Sequence, residues 1–359
     1  MCGIVGLFTG CSGVSYCPKR LLTGGSEAPA GVDTPVPSTA DGAETHRSTG
    51  PEAGDGYRSP FRRWDKRASV RAAPRRELPD DTDGKYFFSP ELVPLARHEL
   101  VRDLRPELFD QVLVQHLYRY LDFTAKLEQV VVNRTALGIA QGTVGLNLHP
   151  DMRFDAYRVY CDEAYHALFS ADLMRQAERR TGITPRLPAE PYFLTRLALV
   201  QQKHPEWRAL AELIFVIVSE TLISGSLGEV PDDPRVVPTV REVVRDHALD
   251  EGRHHTYFAL FLKELWAQSD RTERRVIGTL APVMVDAFLQ PDLPALRKEL
   301  TGYGLGRDAV EQVVAEVFPG SLVRKTTRDA SQQTVQHFTR LGALDDPAIR
   351  AAFETYELV

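Results

Sequence analysis

Two segments of this sequence repeat one arrangement of acidic and imidazole side chains, Asp-Glu-x-x-His. Their fixed positions are Asp162, Glu163 and His166 in the first segment and Asp250, Glu251 and His254 in the second. In a helix of about 3.6 residues per turn, positions i and i+3 lie on one face, so each glutamate and its histidine can bind the same metal ion. A single match of this kind arises by chance in a chain of this composition, whereas two matches on separate helices indicate a metal site.

The segments that carry these motifs have apolar residues at helical spacing. From about residue 86 onward the chain consists of such segments, interrupted by proline and glycine, and almost nothing alternates as a strand would. We therefore predict an all-α helical bundle. The candidate helices span residues 106–140, 153–181, 190–203, 206–227 and 238–267.

Two further glutamates lie on predicted helices of their own. Glu220 follows an almost continuous apolar run, which predicts a buried helix, and an unpaired carboxylate there would cost several kcal/mol. A metal ion would satisfy Glu220, and a buried salt bridge is the alternative. Glu128 lies in a less apolar stretch and, taken alone, reads as a surface glutamate.

Together these residues fit a known arrangement of metal ligands. Ferritin-like bundles hold two metal ions with a lone glutamate from each of two helices and a Glu-x-x-His pair from each of the other two. Glu128 and Glu220 supply the lone glutamates, and the two motifs supply the pairs. The sequence predicts a ferritin-like helical bundle with a dinuclear metal site in its core. Carboxylate oxygens and imidazole nitrogens suit iron or manganese, and activation of dioxygen is the natural use of such a pair.

A third histidine lies in register with the second motif. His247 precedes Glu251 by four residues and His254 by seven, which returns to the same helix face, and we predict that it also binds metal. His255 lies off this face and is predicted not to bind.

Residues next to the ligands are candidates for orienting them. Asp162 and Asp250 each precede a ligand glutamate and could accept the free ring N–H of the histidine in the facing motif. Arg253 could pair with one of these aspartates. The alternative for all three is an ordinary solvated helix face, and no catalytic residue is predicted beyond the metal ligands.

The first 85 residues differ in composition from the rest. Gly, Pro, Ser, Thr, Arg and Asp dominate from about Thr9 to Lys85, so we predict a mostly disordered arm over residues 1–85 and a folded domain over 86–359. The arginine-rich part, Arg58 to Arg76, is either an interaction tail or, as we prefer, a solvated linker. The four cysteines, Cys2, Cys11, Cys17 and Cys161, imply no disulfide framework.

Charge and hydropathy exclude several classes of protein. A net charge of -6 argues against nucleic-acid binding. The longest apolar stretch, around Leu213–Val218, is far too short to span a membrane, and the N-terminus lacks the features of a secretory signal. We expect no membrane association and a cytoplasmic location.

With these residues placed, the chain resembles the di-iron N-oxygenases that oxidise aryl amines in antibiotic biosynthesis, the p-aminobenzoate N-oxygenase family. The family's ligands follow the order Glu, Glu-x-x-His, Glu, His-x-x-x-Glu-x-x-His. The matching residues are Glu128, Glu163, His166, Glu220, His247, Glu251 and His254. The third histidine distinguishes this family from related hydroxylases and desaturases.

The resemblance implies two iron ions cycling between Fe²⁺ and Fe³⁺, with O₂ as co-substrate. The expected reaction converts an amine to a hydroxylamine, nitroso or nitro product. The resemblance also implies an external electron donor, such as a ferredoxin or a reductase, and a homodimer. It does not identify the amine, and Tyr118, Tyr120, Arg196 and Tyr257 carry no assigned role in binding it.

A shorter resemblance concerns the first eight residues. Met1 to Phe8 look like the start of class II glutamine amidotransferases, in which Cys2 is the nucleophile. The Gly- and Pro-rich sequence that follows does not fit that fold, so we interpret this start as vestigial.

Two other functions remain open at this stage. One is a di-iron oxygenase that hydroxylates or desaturates carbon, and the other is a non-catalytic iron-binding bundle. His247 favours N-oxygenation over the first, and the chain length beyond a four-helix core argues mildly against iron storage.

Overall fold

Residues 56–82, 84–223 and 232–359 are described by a computed structural model. Helices dominate these ranges, which contain no β-strand, only an isolated parallel bridge between Tyr86 and Val236. The all-α prediction is confirmed. The α-helices are α1 (Trp64–Arg67), α2 (Ser69–Ala72), α3 (Glu99–Arg102), α4 (Pro106–Leu127), α5 (Asn133–Gln141), α6 (Pro150–Thr181), α7 (Tyr192–Lys203), α8 (Arg208–Ile223), α9 (Pro238–Gln268), α10 (Arg271–Leu289), α11 (Leu293–Gly302), α12 (Arg307–Val317), α13 (Gly320–Arg340) and α14 (Pro347–Thr355).

Four long helical segments form the central bundle. Helix α4 packs against α6, α6 packs against α9, and α8 lies between α9 and α10. Side chains such as Leu117, Val159, Phe215 and Phe258 fill the space between these helices and are almost completely buried. The core is therefore continuous across the helices that carry the candidate ligands.

The predicted helix over residues 106–140 is interrupted where Glu128 lies. Residues Glu128–Val132 form a π-helical turn between α4 and α5. A π turn inserts an extra residue and shifts the faces of the helix on either side of it, and such turns are frequent at functional sites. Val131 and Val132 remain buried through this turn, and so does Glu128.

The ends of α6 are fixed by local sequence. Pro150 occupies the first turn, where its missing N–H costs nothing, and His149 accepts the backbone N–H of Asp151. Gly182 ends the helix with a left-handed backbone, φ 69°. The other predicted helices match their observed bounds closely, except that residues 224–227 of the 206–227 helix lie outside the described residues.

The prediction of a disordered arm requires a correction for its last third. Residues 57–80, which we call the strap, lie folded against α6 and α9, and α2 contacts both helices. Phe61 is 1% exposed, and its ring packs against His254 and Tyr257. The composition predicted disorder because the strap has few apolar residues. Hydrogen bonds to buried aspartates hold the strap in place instead. Residues 1–55, with the amidotransferase-like start and Cys2, lie outside the described residues.

The C-terminal helices extend the bundle. Asp270 and Glu273 form a capping box at the start of α10, which packs against α8 on one side and α14 on the other. The stretch Arg271–Gly302 contains an 18-residue window long and apolar enough to cross a membrane, but 61% of that window is buried inside the structure. That burial is typical of a core helix.

We expect Gly278→Ala to destabilise the protein, because α10 and α14 touch at this residue. A Cβ atom there would lie 2.3 to 2.8 Å from three side-chain atoms of Ile349, which is itself buried. Overpacking of this kind costs about 1–3 kcal/mol in the free energy of unfolding. Chemical denaturation of the metal-free protein measures it.

Gly252→Ala is the matched control, since Gly252 is also inside a helix but a Cβ atom there meets nothing within 4 Å. This substitution should stabilise the protein by about 0.5–1 kcal/mol. Equal gains in stability for both variants would show that α14 does not pack on α10 as described.

Candidate metal centre

The four segments of the bundle bring all seven predicted ligand residues to one place. Glu128 comes from the π turn, Glu220 from α8, and the remaining five from α6 and α9. The side chains share near-complete burial, with at most 2% of any residue exposed. The set is Glu128, Glu163, His166, Glu220, His247, Glu251 and His254.

The donor atoms fall into two overlapping groups. Within each group the atoms lie within 4.8 Å of one another, and His166 and Glu251 belong to both. The first group adds Glu128 and His247, and the second adds Glu163 and His254. Two adjoining groups with shared members have the form of a dinuclear site.

Glu251 lies at the centre of this arrangement. Its Oε1 atom is 3.2 Å from His247 Nε2, 3.2 Å from His254 Nδ1 and 3.5 Å from His166 Nδ1. Two ligands on one metal ion, each about 2.1 Å from it, lie roughly 3 Å apart at a right angle. The distances in the cluster fit atoms that share a cation.

Glu220 lies at the edge of the cluster. Its Oε2 atom is 3.9 Å from His254 Nδ1, and it belongs to neither group of four. The atom is buried and has no hydrogen-bond partner. It is thus placed to reach the second group without contributing to its tightest contacts.

The cluster contains an unusual number of unsatisfied buried atoms. Polar atoms buried in a protein almost always find a hydrogen-bond partner, so each exception calls for an explanation. Among the described residues, such orphaned atoms occur on five of the seven side chains: Glu128 Oε1 and Oε2, Glu163 Oε1, Glu220 Oε2, His247 Nε2 and Glu251 Oε2. Metal ions would satisfy all of them at once.

The charge of the donor set also fits two divalent cations. Four ionised glutamates supply four negative charges, which two divalent ions balance, and the three imidazoles are neutral as ligands. Without cations, four carboxylates at this depth would repel one another strongly. The residues present therefore fit a pair of metal ions.

Each histidine has its second ring nitrogen held by a hydrogen bond. His166 Nε2 lies 3.0 Å from Asp250 Oδ2, and His254 Nε2 lies 3.2 Å from Asp162 Oδ2. These contacts run between the two motifs and direct Nδ1 of both rings into the cluster. Arg253 also donates to Asp250. Such outer contacts orient metal-binding imidazoles and raise their basicity.

His247 is oriented by a residue that the sequence analysis assigned no role. The hydroxyl of Tyr120 lies 3.1 Å from His247 Nδ1, which leaves Nε2 facing Glu128 and Glu251. Tyr120 precedes Glu128 by eight residues, about two helical turns, so both lie on one face of the helix. This spacing is the sequence signal that could have identified Tyr120 as a neighbour of the site.

The strap supplies two contacts that sequence reasoning missed. The indole N–H of Trp64 donates to Asp162 Oδ1 over 2.8 Å, and the backbone N–H of Ser69 donates to Asp250 Oδ2 over 3.1 Å. Both aspartates are thus held from the outside while they hold a histidine on the inside. No motif marks these contacts, because they depend on how a distant segment folds back.

The electrostatics of the metal-free cluster follow from burial and mutual charge. Burial lowers the pKa of a histidine, but the carboxylates of Glu128 and Glu251 outweigh it and raise the pKa of His247 to about 9. Burial raises the pKa of Asp250, yet His166, the Ser69 N–H and Arg253 bring it down to about 2. Burial, together with Glu251 and Glu163, raises the pKa of Glu220 well above its usual value. Protons therefore occupy the metal-free cluster near neutral pH.

A cavity of about 370 Å³ lies beside the cluster. Tyr165, Leu168, Phe169 and Val243 contribute to its lining. The ring of Phe169 also packs against His166, with centroids 5.3 Å apart. Phe169 thus contacts both the cavity and the imidazole of His166.

Comparison with known proteins adds independent information. Residues 58–342 match the family model described as P-aminobenzoate N-oxygenase AurF. A 4-aminobenzoate N-oxygenase from Streptomyces thioluteus is 26% identical over 278 residues, which cover 75% of this chain and 81% of that relative. The match begins inside the strap and includes every residue of the cluster.

We expect metal affinity to rise with pH, because metal ions must displace protons from the cluster. The pKa of His247 is about 9 in the folded metal-free protein, against an ordinary value of 6.5. Its protonated form therefore stabilises the metal-free fold below about pH 6.5, and that stabilisation is lost as the pH rises through about 9. Calorimetric titration with Mn²⁺ under nitrogen should show weaker binding with greater proton release near pH 6.5, and tighter binding with little proton release near pH 9. An affinity independent of pH between these values would contradict the assignment.

Removing the hydroxyl of Tyr120 should weaken metal binding without unfolding the protein. Loss of an outer hydrogen bond to a ligand histidine typically lowers affinity about 10–100-fold, and we expect this for Tyr120→Phe. Tyr118→Phe is the matched control on the same helix, since its hydroxyl donates to the carbonyl of Ile183 over 2.8 Å, away from the cluster. Equal affinities of the two variants in a Mn²⁺ titration would show that the Tyr120 hydroxyl does not contribute to metal binding.

Proposed function

Because the chain belongs to the P-aminobenzoate N-oxygenase family, we propose that it is a non-haem di-iron enzyme that uses O₂ to oxidise the nitrogen of an aryl amine. The first product is a hydroxylamine, and further rounds give the nitroso and nitro compounds. The observation that carries this proposal is the buried cluster of four glutamates and three histidines, with orphaned donor atoms on five of them.

The ligands we propose are the seven residues of the cluster. Glu128, His166, His247 and Glu251 would hold one ion, and Glu163 and His254 would hold the other together with the shared residues. Glu220 completes the second position. We propose iron rather than manganese because of the family, since the donor atoms accept both. When bound, the iron pair supplies the activation of dioxygen.

The protein's own contribution is to fix and shield the site. Asp162, Asp250 and Tyr120 each hold the outer nitrogen of one histidine, so the inner nitrogen faces the cluster, where a metal ion would displace its proton. Phe61 and Phe169 close the site against bulk water by packing on His254 and His166. A dry site prevents loss of reactive oxygen species to side reactions.

The cavity beside Phe169 is the route that we propose for the amine. Its apolar lining suits an aromatic ring, and Phe169 and Tyr165 offer edges and faces for stacking. Arg75 and Arg76 at its rim are already paired with Asp172 and Asp246. We therefore expect the inner part of the cavity to select for the aromatic ring rather than for a charged substituent.

The overall reaction requires electrons from outside the chain. Converting an amine and O₂ to a hydroxylamine and water consumes two electrons and two protons. We propose that a ferredoxin or reductase supplies these electrons. We also propose that the protein acts in the cytoplasm as a homodimer, in the biosynthesis of an antibiotic or similar natural product, as the family resemblance implies.

The direct test is product analysis with ¹⁸O₂. Iron-loaded, chemically reduced protein mixed with 4-aminobenzoate and other aryl amines should give an N-oxygenated product that carries ¹⁸O. Hydroxylation of ring or side-chain carbon would instead show the carbon oxygenase, and deposition of ferric mineral without product would show iron storage.

His247→Gln should abolish N-oxygenation while leaving the helical content unchanged, because His247 Nε2 faces both Glu128 and Glu251. His255→Gln is the matched control on the same helix, since the His255 ring faces His337 on the other side. We expect the control to retain activity and iron content. Full activity in the His247 variant would contradict its role as a ligand.

A further inference from the structure

A group of positive charges lies on the strap around Trp64. Between residues 58 and 71 there are six cationic side chains and only one acidic residue, Asp65, a local charge of +5 in a chain of net charge -6. All six are exposed. This basic surface consists of Arg58, Arg62, Arg63, Lys66, Arg67 and Arg71.

The charges of the basic surface are not neutralised within the described part of the chain. None of the six cations forms an ion pair there, whereas Arg75 and Arg76 of the same strap pair with Asp172 and Asp246. The strap buries its apolar groups, such as Phe61, and leaves these cations outside. Like charges concentrated on a folded surface repel one another, and an acidic partner would relieve that repulsion.

A short chain of hydrogen-bonded side chains leads from the basic surface to the metal centre. The side chain of Trp64 is half-buried, with the guanidinium of Arg71 5.8 Å from its ring. Its indole N–H is 2.8 Å from Asp162 Oδ1, and Asp162 Oδ2 is 3.2 Å from His254 Nε2. Three side chains joined by hydrogen bonds thus connect the surface to a residue of the cluster.

We propose that the basic surface docks an acidic iron–sulfur carrier protein of the ferredoxin type, and that Trp64, Asp162 and His254 form the path for its electrons. This inference rests on the proposed function, because N-oxygenation consumes electrons that the chain cannot supply. Each transfer oxidises one reduced [2Fe–2S] carrier, and two transfers together with two protons accompany each hydroxylamine and water formed.

The chemistry of the surface fits such a carrier. Complexes of electron-carrier proteins have small interfaces and short lifetimes. Complementary charge speeds their formation and sets the orientation of the two proteins. Orientation matters here because the carrier must lie close to Trp64. An anionic membrane could also attract six cations, and the experiment therefore includes that comparison.

Docking is measured with metal-free protein, so that its outcome does not depend on turnover. The probe is an acidic plant-type [2Fe–2S] ferredoxin, and the binding constant is determined by calorimetry at low ionic strength. Reversing three charges, in Arg62→Glu/Arg63→Glu/Arg67→Glu, should weaken binding at least about tenfold. The wild-type affinity should fall steeply between about 0.01 and 0.15 M salt, a measurement that stands even if the triple variant fails to fold.

The matched control reverses three exposed arginines of the C-terminal region, in Arg307→Glu/Arg340→Glu/Arg350→Glu. It carries the same change in net charge and should bind the ferredoxin nearly as well as the wild type. Equal affinities of the two triple variants would overturn the proposal. Tighter binding of the wild type to vesicles of anionic phospholipid than to the ferredoxin would also overturn it.

The path is tested with Trp64→Phe, which removes the indole N–H that donates to Asp162 and keeps an aromatic ring beside Arg71. We expect an unchanged binding constant for the ferredoxin but slower oxidation of reduced ferredoxin by the iron-loaded protein. Reduction by dithionite should be unaffected. If reduction by ferredoxin and reduction by dithionite slowed to the same extent, Trp64 would have only a structural role.

The binding and activity measurements together distinguish failure of the docking proposal from failure of the proposed function. One outcome is that chemically reduced protein oxidises aryl amines although the ferredoxin does not bind the basic surface. In that case the N-oxygenase function is supported and the proposed docking surface is wrong. If chemical reduction yields no oxidised amine, the proposed function itself is wrong.

Discussion

Burial of four carboxylates in one place is the constraint on which the rest of the structure depends. Glu128, Glu163, Glu220 and Glu251 are at most 2% exposed and lie within a helical core in which apolar side chains predominate. Removing an ionised carboxylate from water is costly unless cations or hydrogen bonds replace the water. Histidines supply part of that replacement, and the orphaned oxygens show that the protein groups alone do not complete it. The bundle is therefore built around a space for positive charge.

The arrangement of helices α6 and α9 follows from this requirement. Each helix carries a ligand glutamate and histidine on its inner face and, one position before the glutamate, an aspartate that accepts from the histidine of the other helix. These reciprocal contacts tie the two helices together at the level of the cluster. The strap then fastens both aspartates from outside through Trp64 and Ser69. The metal ligands, the outer hydrogen bonds and the strap thus form successive layers around the site.

Much of the cluster could be predicted from sequence because it depends on spacing within single helices. The i, i+3 and i, i+4 relations of Glu163, His166, His247, Glu251 and His254 are local properties, and the apolar surroundings of Glu220 indicate its burial. Glu128 was harder to place, because a π turn changes the helix register at that residue. The strap could not be predicted from composition, since its few apolar residues and its hydrogen bonds to Asp162 and Asp250 connect positions more than 90 residues apart. Contacts between distant segments leave no periodic signal.

We propose that this cluster holds two iron ions. The most direct measurement is diffraction from crystals of the iron-loaded protein, collected on either side of the iron absorption edge. We expect two anomalous peaks per chain, about 3.5–4 Å apart, enclosed by the four glutamates and three histidines. A single peak, or iron bound elsewhere with the cluster closed by hydrogen bonds alone, would contradict it.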